Sequence, residues 1–262
     1  MIALAVIAGG YLALCGVARL AYPRMLFPAP RIAGTPRIDD PDASLVRFGA
    51  TEGIHWPAPD GARTVVMFHG NGETIFHGVT MGTELRRRGL GVLLVEYRGY
   101  GTLHGDPPSE AMLYEDGDAA IAWLRARGVT NERLVVFGWS LGSSVAAEMA
   151  HRGHGARLVL VSPFTNIAAM GRRFAPFLPV SLLMSHELDT IKKAPSIQQP
   201  ALVIHGDADE LIPFAMGEKV AAALPNAKLV RVERGHHADL FWPGSGAAPN
   251  AEALFDLVAG AP

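Results

Sequence analysis

The sequence predicts an α/β domain in which a mostly parallel central sheet is covered by helices on both faces. Three observations predict it. Six short runs are continuously apolar rather than alternating, the pattern of strands buried on both sides. Helical patterns separate most of these runs at regular intervals, as parallel strands require. The chain has 262 residues, 49% hydrophobic and 18% charged, enough for one sizeable core.

The elements are expected in the following order. Met1 to Ala18 carry no charged side chain, an apolar run near the lower length limit for crossing a bilayer. A cleaved signal peptide needs Lys or Arg before its apolar core, and none precedes this one. A lipoprotein signal would use Cys15, but Leu14 is not the small residue expected before such a cysteine. A retained anchor over residues 1–22 fits best, because Arg19, Arg24, Arg31 and Arg37 follow the run. Positive charges held on the cytoplasmic side would leave residues 23–262 in the cytoplasm. Between Tyr22 and Pro59, Pro23, Pro28, Pro30, Pro36, Pro41, Pro57 and Pro59 predict a linker followed by short edge strands.

Strands are then expected at Thr64–Phe68, Val92–Glu96, Leu134–Phe137, Leu158–Val161, Ala201–His205 and Leu229–Val232. Helices are expected at Ser109–Arg127, Ser143–Arg152, Phe214–Leu224 and Ala251–Val258. Residues 164–199 are too many for a simple crossover, and long insertions in compact domains are usually functional. The formal net charge of -2, with no basic run interleaved with aromatics, gives no reason to expect nucleic acid. One cysteine excludes an internal disulfide, and ten histidines without H-E-x-x-H spacing predict neither metal nor cofactor.

The chemistry starts at Gly138-Trp139-Ser140-Leu141-Gly142, directly after a predicted strand. A G-x-S-x-G segment there holds its serine on a sharp strand-to-helix turn, hydroxyl exposed above the sheet. The crowded turn leaves no room for side chains at positions 138 and 142, and Ser143, Ser144, Ala146 and Ala147 keep the next helix close. A serine hydroxyl needs a base, and the base needs an acid to orient it. On this kind of turn the acid and then the histidine follow in sequence. Asp207 and Asp209, with Glu210 behind them, follow one predicted strand; His236 and His237 follow the next. Both loops lie at the strand ends where sites of parallel sheets assemble. Two amide donors are also required for an oxyanion. Leu141 should supply one, and the loop His69-Gly70-Asn71-Gly72 the other, through Asn71.

With these segments in view, the chain resembles the α/β-hydrolases. Within them it is similar to the membrane-anchored, bud-emergence-type branch, often grouped with serine-aminopeptidase-like and lysophospholipase-like hydrolases. The resemblance rests on His69-Gly70-Asn71-Gly72, Glu96-Tyr97-Arg98-Gly99-Tyr100-Gly101, Pro108-Ser109-Glu110, the serine turn, Ser162-Pro163-Phe164-Thr165, and His205-Gly206 with Asp209 and Pro213. It runs from about Leu26 to near the C-terminus. It implies the α/β-hydrolase fold with a small helical cap at residues 164–199, Asp209 as acid and His237 as base. The run His237-Ala238-Asp239-Leu240 departs from the family's His-Asn-Asp-Leu by its alanine, and His236 adds a second histidine where other hydrolases place their base. The cap implies an apolar acyl site with Phe164, Met170 and Phe174 against substrate, or simply a helix pair on the sheet edge. Arg98 reads as a loop anchor. The implied activity is hydrolysis of a carboxylic ester or thioester, on lipid or acylated substrates, through an acyl-enzyme and without a cofactor. A serine-aminopeptidase-type hydrolase and a catalytically idle membrane scaffold are the alternatives.

Overall fold

The computed structural model describes residues 1–34, 38, 40–241 and 247–259. Pro36 and Arg37, named above, lie outside the described residues. A 25-residue helix, α1 (Ile2–Leu26), leads into a hairpin of β1 (Ser44–Phe48) and β2 (Thr51–Trp56). There follow β3 (Thr64–Phe68), α2 (Val79–Arg87), β4 (Gly91–Val95), α3 (Glu110–Arg125), β5 (Leu134–Trp139), α4 (Leu141–His151) and β6 (Arg157–Val161). The insertion carries α5 (Ile167–Phe174), α6 (Val180–Leu183) and α7 (Thr190–Lys193), and the chain closes with β7 (Ala201–Gly206), α8 (Phe214–Ala223), β8 (Ala227–Val232) and α9 (Ala247–Ala259).

The eight strands form one sheet in the order β1-β2-β4-β3-β5-β6-β7-β8. β1 and β2 are antiparallel to their neighbours; every pairing from β4 to β8 is parallel. Alternate residues of the central strands enter opposite layers. Val66, Phe68, Leu93, Val95 and Val136 pack with α3, α4 and α8, whereas Val65, Met67, Val92, Leu94 and Val135 pack with α2 and α9. A strand loaded on both faces reads as a continuous apolar run, which explains why these strands were visible in the sequence.

Four points differ from the expectations. β2 is not an edge strand: it is hydrogen-bonded on both sides, and its polar Glu52 is buried against Thr102. The helix α2 was not expected, because Val-Thr-Met-Gly-Thr combines β-branched residues with a mid-helix glycine. Tertiary packing overrides that propensity. A Cβ on Gly82 would stand 2.8 Å from the Trp56 ring, so the glycine lets α2 lie directly on β2. The insertion is three short helices rather than a pair, and α4 begins at Leu141, two residues earlier than its apolar pattern suggests.

The segment after α1 is not a free linker. Its carbonyls and amides are tied to the β4–α3 loop, Gly101 N–H donating to Pro30 O at 2.9 Å and Ile32 N–H to Gly101 O at 3.1 Å. Among the described residues α1 is the one helix long and apolar enough to cross a membrane, with a mean hydropathy of 1.8 over its best window. Its C-terminal half rests on the insertion.

Candidate active site

Ser140 sits between β5 and α4 with φ 51° and ψ −115°, a conformation that costs a non-glycine residue about 1–3 kcal/mol and persists only where the surroundings enforce it. The enforcement is visible. Ser140 N–H donates to Val161 O at 2.9 Å. A Cβ on Gly138 would lie 2.1 Å from Gly142 O, and one on Gly142 would lie 2.0 Å from Phe68 O, so only glycine fits either position.

The Ser140 hydroxyl is 3.0 Å from His237 Nε2, and His237 Nδ1 is 2.8 Å from Asp209 Oδ2. An ionised carboxylate only accepts, so Nδ1 carries the hydrogen and the Nε2 lone pair faces the serine O–H. Asp209 Oδ1 accepts the backbone N–H groups of Leu211 at 3.0 Å and Ile212 at 2.8 Å. Burial pushes the Asp209 carboxyl up, but hydrogen bonds from His205, His237 and the Ile212 amide outweigh it and hold the group well below the usual carboxylate range. His205 is wholly buried between β7 and α8, its Nε2–H donating to Ile212 O at 2.9 Å and lying 3.3 Å from Asp209 Oδ2. The sequence names it only within the His205-Gly206-x-x-Asp209 segment and assigns it no role.

The competing partners sit elsewhere. Asp207 holds Arg231 at 2.9 Å and the Arg234 N–H at 2.7 Å. His236 points to Glu210 at 3.1 Å, where hydrogen bonding to that carboxylate raises its pKa. Arg98 binds Asp116 at 2.6 Å and Glu115 at 2.7 Å.

The loop bearing Asn71 is pinned from beneath. His69 is buried with Nε2 2.9 Å from Glu96 Oε1 and Nδ1 2.8 Å from Gly70 O. Burial alone would lower its pKa, but the hydrogen bond to Glu96 and that group's charge raise it instead, as expected of an imidazolium donating from both nitrogens. The Asn71 side chain accepts from Tyr100 OH at 2.6 Å and donates to Leu26 O. No acceptor among the described residues engages the backbone N–H of Asn71 or of Leu141.

Beside Ser140 opens a cavity of about 550 Å³, lined by Asn71, Leu141, Phe164, Met170 and Phe174 among others. The structure thus brings all eight predicted site residues to one place: three in a hydrogen-bonded line, five around the cavity. Ala18, Tyr22, Met25 and Leu26 of α1 also line it, which nothing in the apolar pattern of that helix marks. A larger cavity of about 790 Å³, between α2 and α9, contains none of Ser140, Asp209 and His237. Among the described residues no cluster of three metal-ligating side chains occurs.

The family described as serine aminopeptidase, S33 matches residues 59–188. The uncharacterized protein YfhR of Escherichia coli K12 is 30% identical over 240 residues, which is 86% of this chain and 83% of that protein. Alpha/beta hydrolase domain-containing protein 17C of Xenopus tropicalis is 31% identical over 189 residues, 70% of this chain and 58% of that one. The chain spans 62% of the length of a Mycobacterium tuberculosis relative as well. Among solved structures, an esterase of Pyrococcus furiosus superposes with a TM-score of 0.68 at 21% identity, over 88% of this chain and 97% of that one. At that identity the likeness concerns the fold.

Proposed function

We propose that this chain, which belongs to the α/β-hydrolase superfamily, is a serine hydrolase of carboxylic esters or thioesters. Ser140 Oγ attacks the acyl carbonyl as His237 Nε2 takes its proton, while Asp209 holds the imidazole in the useful tautomer and stabilises the imidazolium. The N–H groups of Leu141 and Asn71 receive the developing oxyanion. His237 then protonates the leaving alcohol or thiol, and a water deprotonated by the same imidazole releases the acid. No cofactor takes part. Phe164, Met170 and Phe174 in the insertion, taken here as a cap over residues 164–199, hold the acyl chain. The apolar part of α1 serves as a retained membrane anchor, with the following domain on the cytoplasmic side.

The observation that carries this reading is the single imidazole 3.0 Å from the serine and 2.8 Å from a buried carboxylate, at the mouth of an apolar cavity. The S33 description raises the aminopeptidase alternative. An aminopeptidase holds its substrate's ammonium with a carboxylate; among the described residues lining the cavity there is no Asp or Glu, and the Glu73 carboxylate beside the serine loop is engaged by the Gly70 N–H. That favours an uncharged acyl group.

A fluorophosphonate probe is expected to label Ser140, and Ser140→Ala to lose both labelling and ester hydrolysis while circular dichroism stays unchanged. Hydrolysis that survives in the alanine variant overturns the assignment. A folded wild-type chain that takes no label would be the idle scaffold.

A further inference from the structure

Resting on that reading, we propose that α1 is a wall of the acyl site as well as a tether, so that the substrate is a long-chain ester already resident in a bilayer. Its acyl chain enters along this helix.

Ala18, Tyr22, Met25 and Leu26 share the cavity with Ser140 and Leu141. Their spacing of four, three and one places them on one helical face. The opposite wall is Phe164, from the loop after β6, with Ile167 and Met170 of α5. Neither wall is closed without the other: the insertion supplies one side and the first helix the other.

The docking of α1 is specific. The Tyr22 hydroxyl accepts from Ser185 N–H at 2.8 Å and lies 2.7 Å from His186 Nδ1, and the Phe27 ring meets His186 edge-on at 5.4 Å. One end farther, Tyr11 OH donates to Phe177 O at 2.9 Å. Leu26 O receives the Asn71 side chain, which ties the helix end to the loop beside the serine. A helix serving only as a tether needs none of these contacts.

Depth follows from the helix rise. Tyr11 precedes Arg19, the first charged residue, by eight positions, about 12 Å along the axis at 1.5 Å per residue. The Phe177 backbone is bonded at the level of Tyr11, on the apolar side of that charge. Around it Phe174, Phe177 and Leu182 are exposed, 83% in the case of Leu182. Contiguous apolar exposure of this kind suits a lipid environment and is costly in water. The insertion at Phe177, next to the cavity residues Phe174 and Leu178, therefore lies at the depth of the acyl chains whenever α1 is inserted, and Tyr22, Met25 and Leu26 continue the apolar wall past Arg19 to Ser140. The cavity contributes few polar groups, Ser140, Asn71 and Tyr22 among them, matching an uncharged hydrocarbon tail.

The test uses the full chain in phosphatidylcholine vesicles, with p-nitrophenyl palmitate and p-nitrophenyl acetate as substrates. Ala18→Trp, which fills the α1 wall, should lower the palmitate-to-acetate ratio of kcat/KM at least tenfold. Leu20→Trp, on the exposed side of the same helix, should leave the ratio within twofold. An unchanged ratio in Ala18→Trp, or an equal shift in Leu20→Trp, overturns the inference. A second measurement needs no turnover. A diazirine-bearing palmitate in the same vesicles should photolabel Ile167 to Met170 of the Ser140→Ala chain, and Ala18→Trp should abolish those adducts. Adducts without hydrolysis in the wild type would sink the hydrolase reading and keep this one; hydrolysis without adducts would do the reverse.

Discussion

Two carboxylate–imidazole pairs stand side by side in this molecule, made of neighbouring residues. Asp209 with His237 and Glu210 with His236 differ little in distance, 2.8 against 3.1 Å. They differ in surroundings. The Asp209 side chain is 0% exposed and accepts two backbone amides besides its imidazole; the Glu210 side chain is 68% exposed. A carboxylate fixed by amides in a low-dielectric pocket orients its histidine and answers its charge, whereas a solvated pair is screened and mobile. The contact alone does not separate the two pairs; burial, fixed donors and the serine at the other nitrogen do.

The sharpest way to break this contrast is to delete each histidine in turn. His237→Ala is expected to lower kcat on a short ester by about 10⁶-fold, the scale for losing a base. His236→Ala should stay within twofold, and a comparable loss in both would mean that the two histidines exchange roles. The acids follow one step down. Asp209→Asn leaves the shape but presents an amide that favours the wrong imidazole tautomer, for which about 10³–10⁴-fold in kcat is the expected loss. Asp207→Asn, whose carboxylate is engaged by Arg231 and the Arg234 amide, should change kcat little.

How much of this could be read beforehand follows the same physics. The six apolar strands were legible because each is covered on both faces, and the serine turn because steric crowding admits only glycine at positions 138 and 142. Local constraints leave local signatures. The choice between Asp207 and Asp209, or between His236 and His237, depends on loops that meet only after folding, so the family resemblance singles out Asp209 and His237 where the residues' own chemistry does not. The interior place of β2 and the whole of α2 escaped because their stability comes from each other, through Trp56 against Gly82, and not from pattern or propensity. The α1 face of the cavity was hidden for a related reason: in a helix that is apolar almost throughout, residues that line a site look like those that face lipid.

A third pair, His69 with Glu96, extends the contrast to one that is buried but whose imidazole bonds Glu96 and Gly70 O rather than the serine. Its His69 pKa is raised, so the stability it contributes is full below the unfolded value near 6.5 and is lost as pH rises through the higher folded value. Glu96→Gln removes the charge and should destabilise by about 2 kcal/mol below pH 6.5, with the deficit shrinking above it, as urea unfolding at stepped pH would read. A deficit that grows with pH would mean that His69 is neutral in the fold.

The exposed pair gives the smallest effect and the cleanest reading. Hydrogen bonding to Glu210 raises the His236 pKa, with the carboxylate's charge acting in the same direction. Glu210→Gln should therefore shift the imidazole titration of His236 downward, toward the ordinary histidine value, in two-dimensional NMR. Because solvent screens this pair, neither thermal stability nor ester hydrolysis should move with it. A rise in the titration would show that the imidazole answers to some group other than Glu210. A loss of hydrolysis would show that the outer carboxylate reaches the serine through the adjacent backbone. Burial would then cease to separate the two pairs.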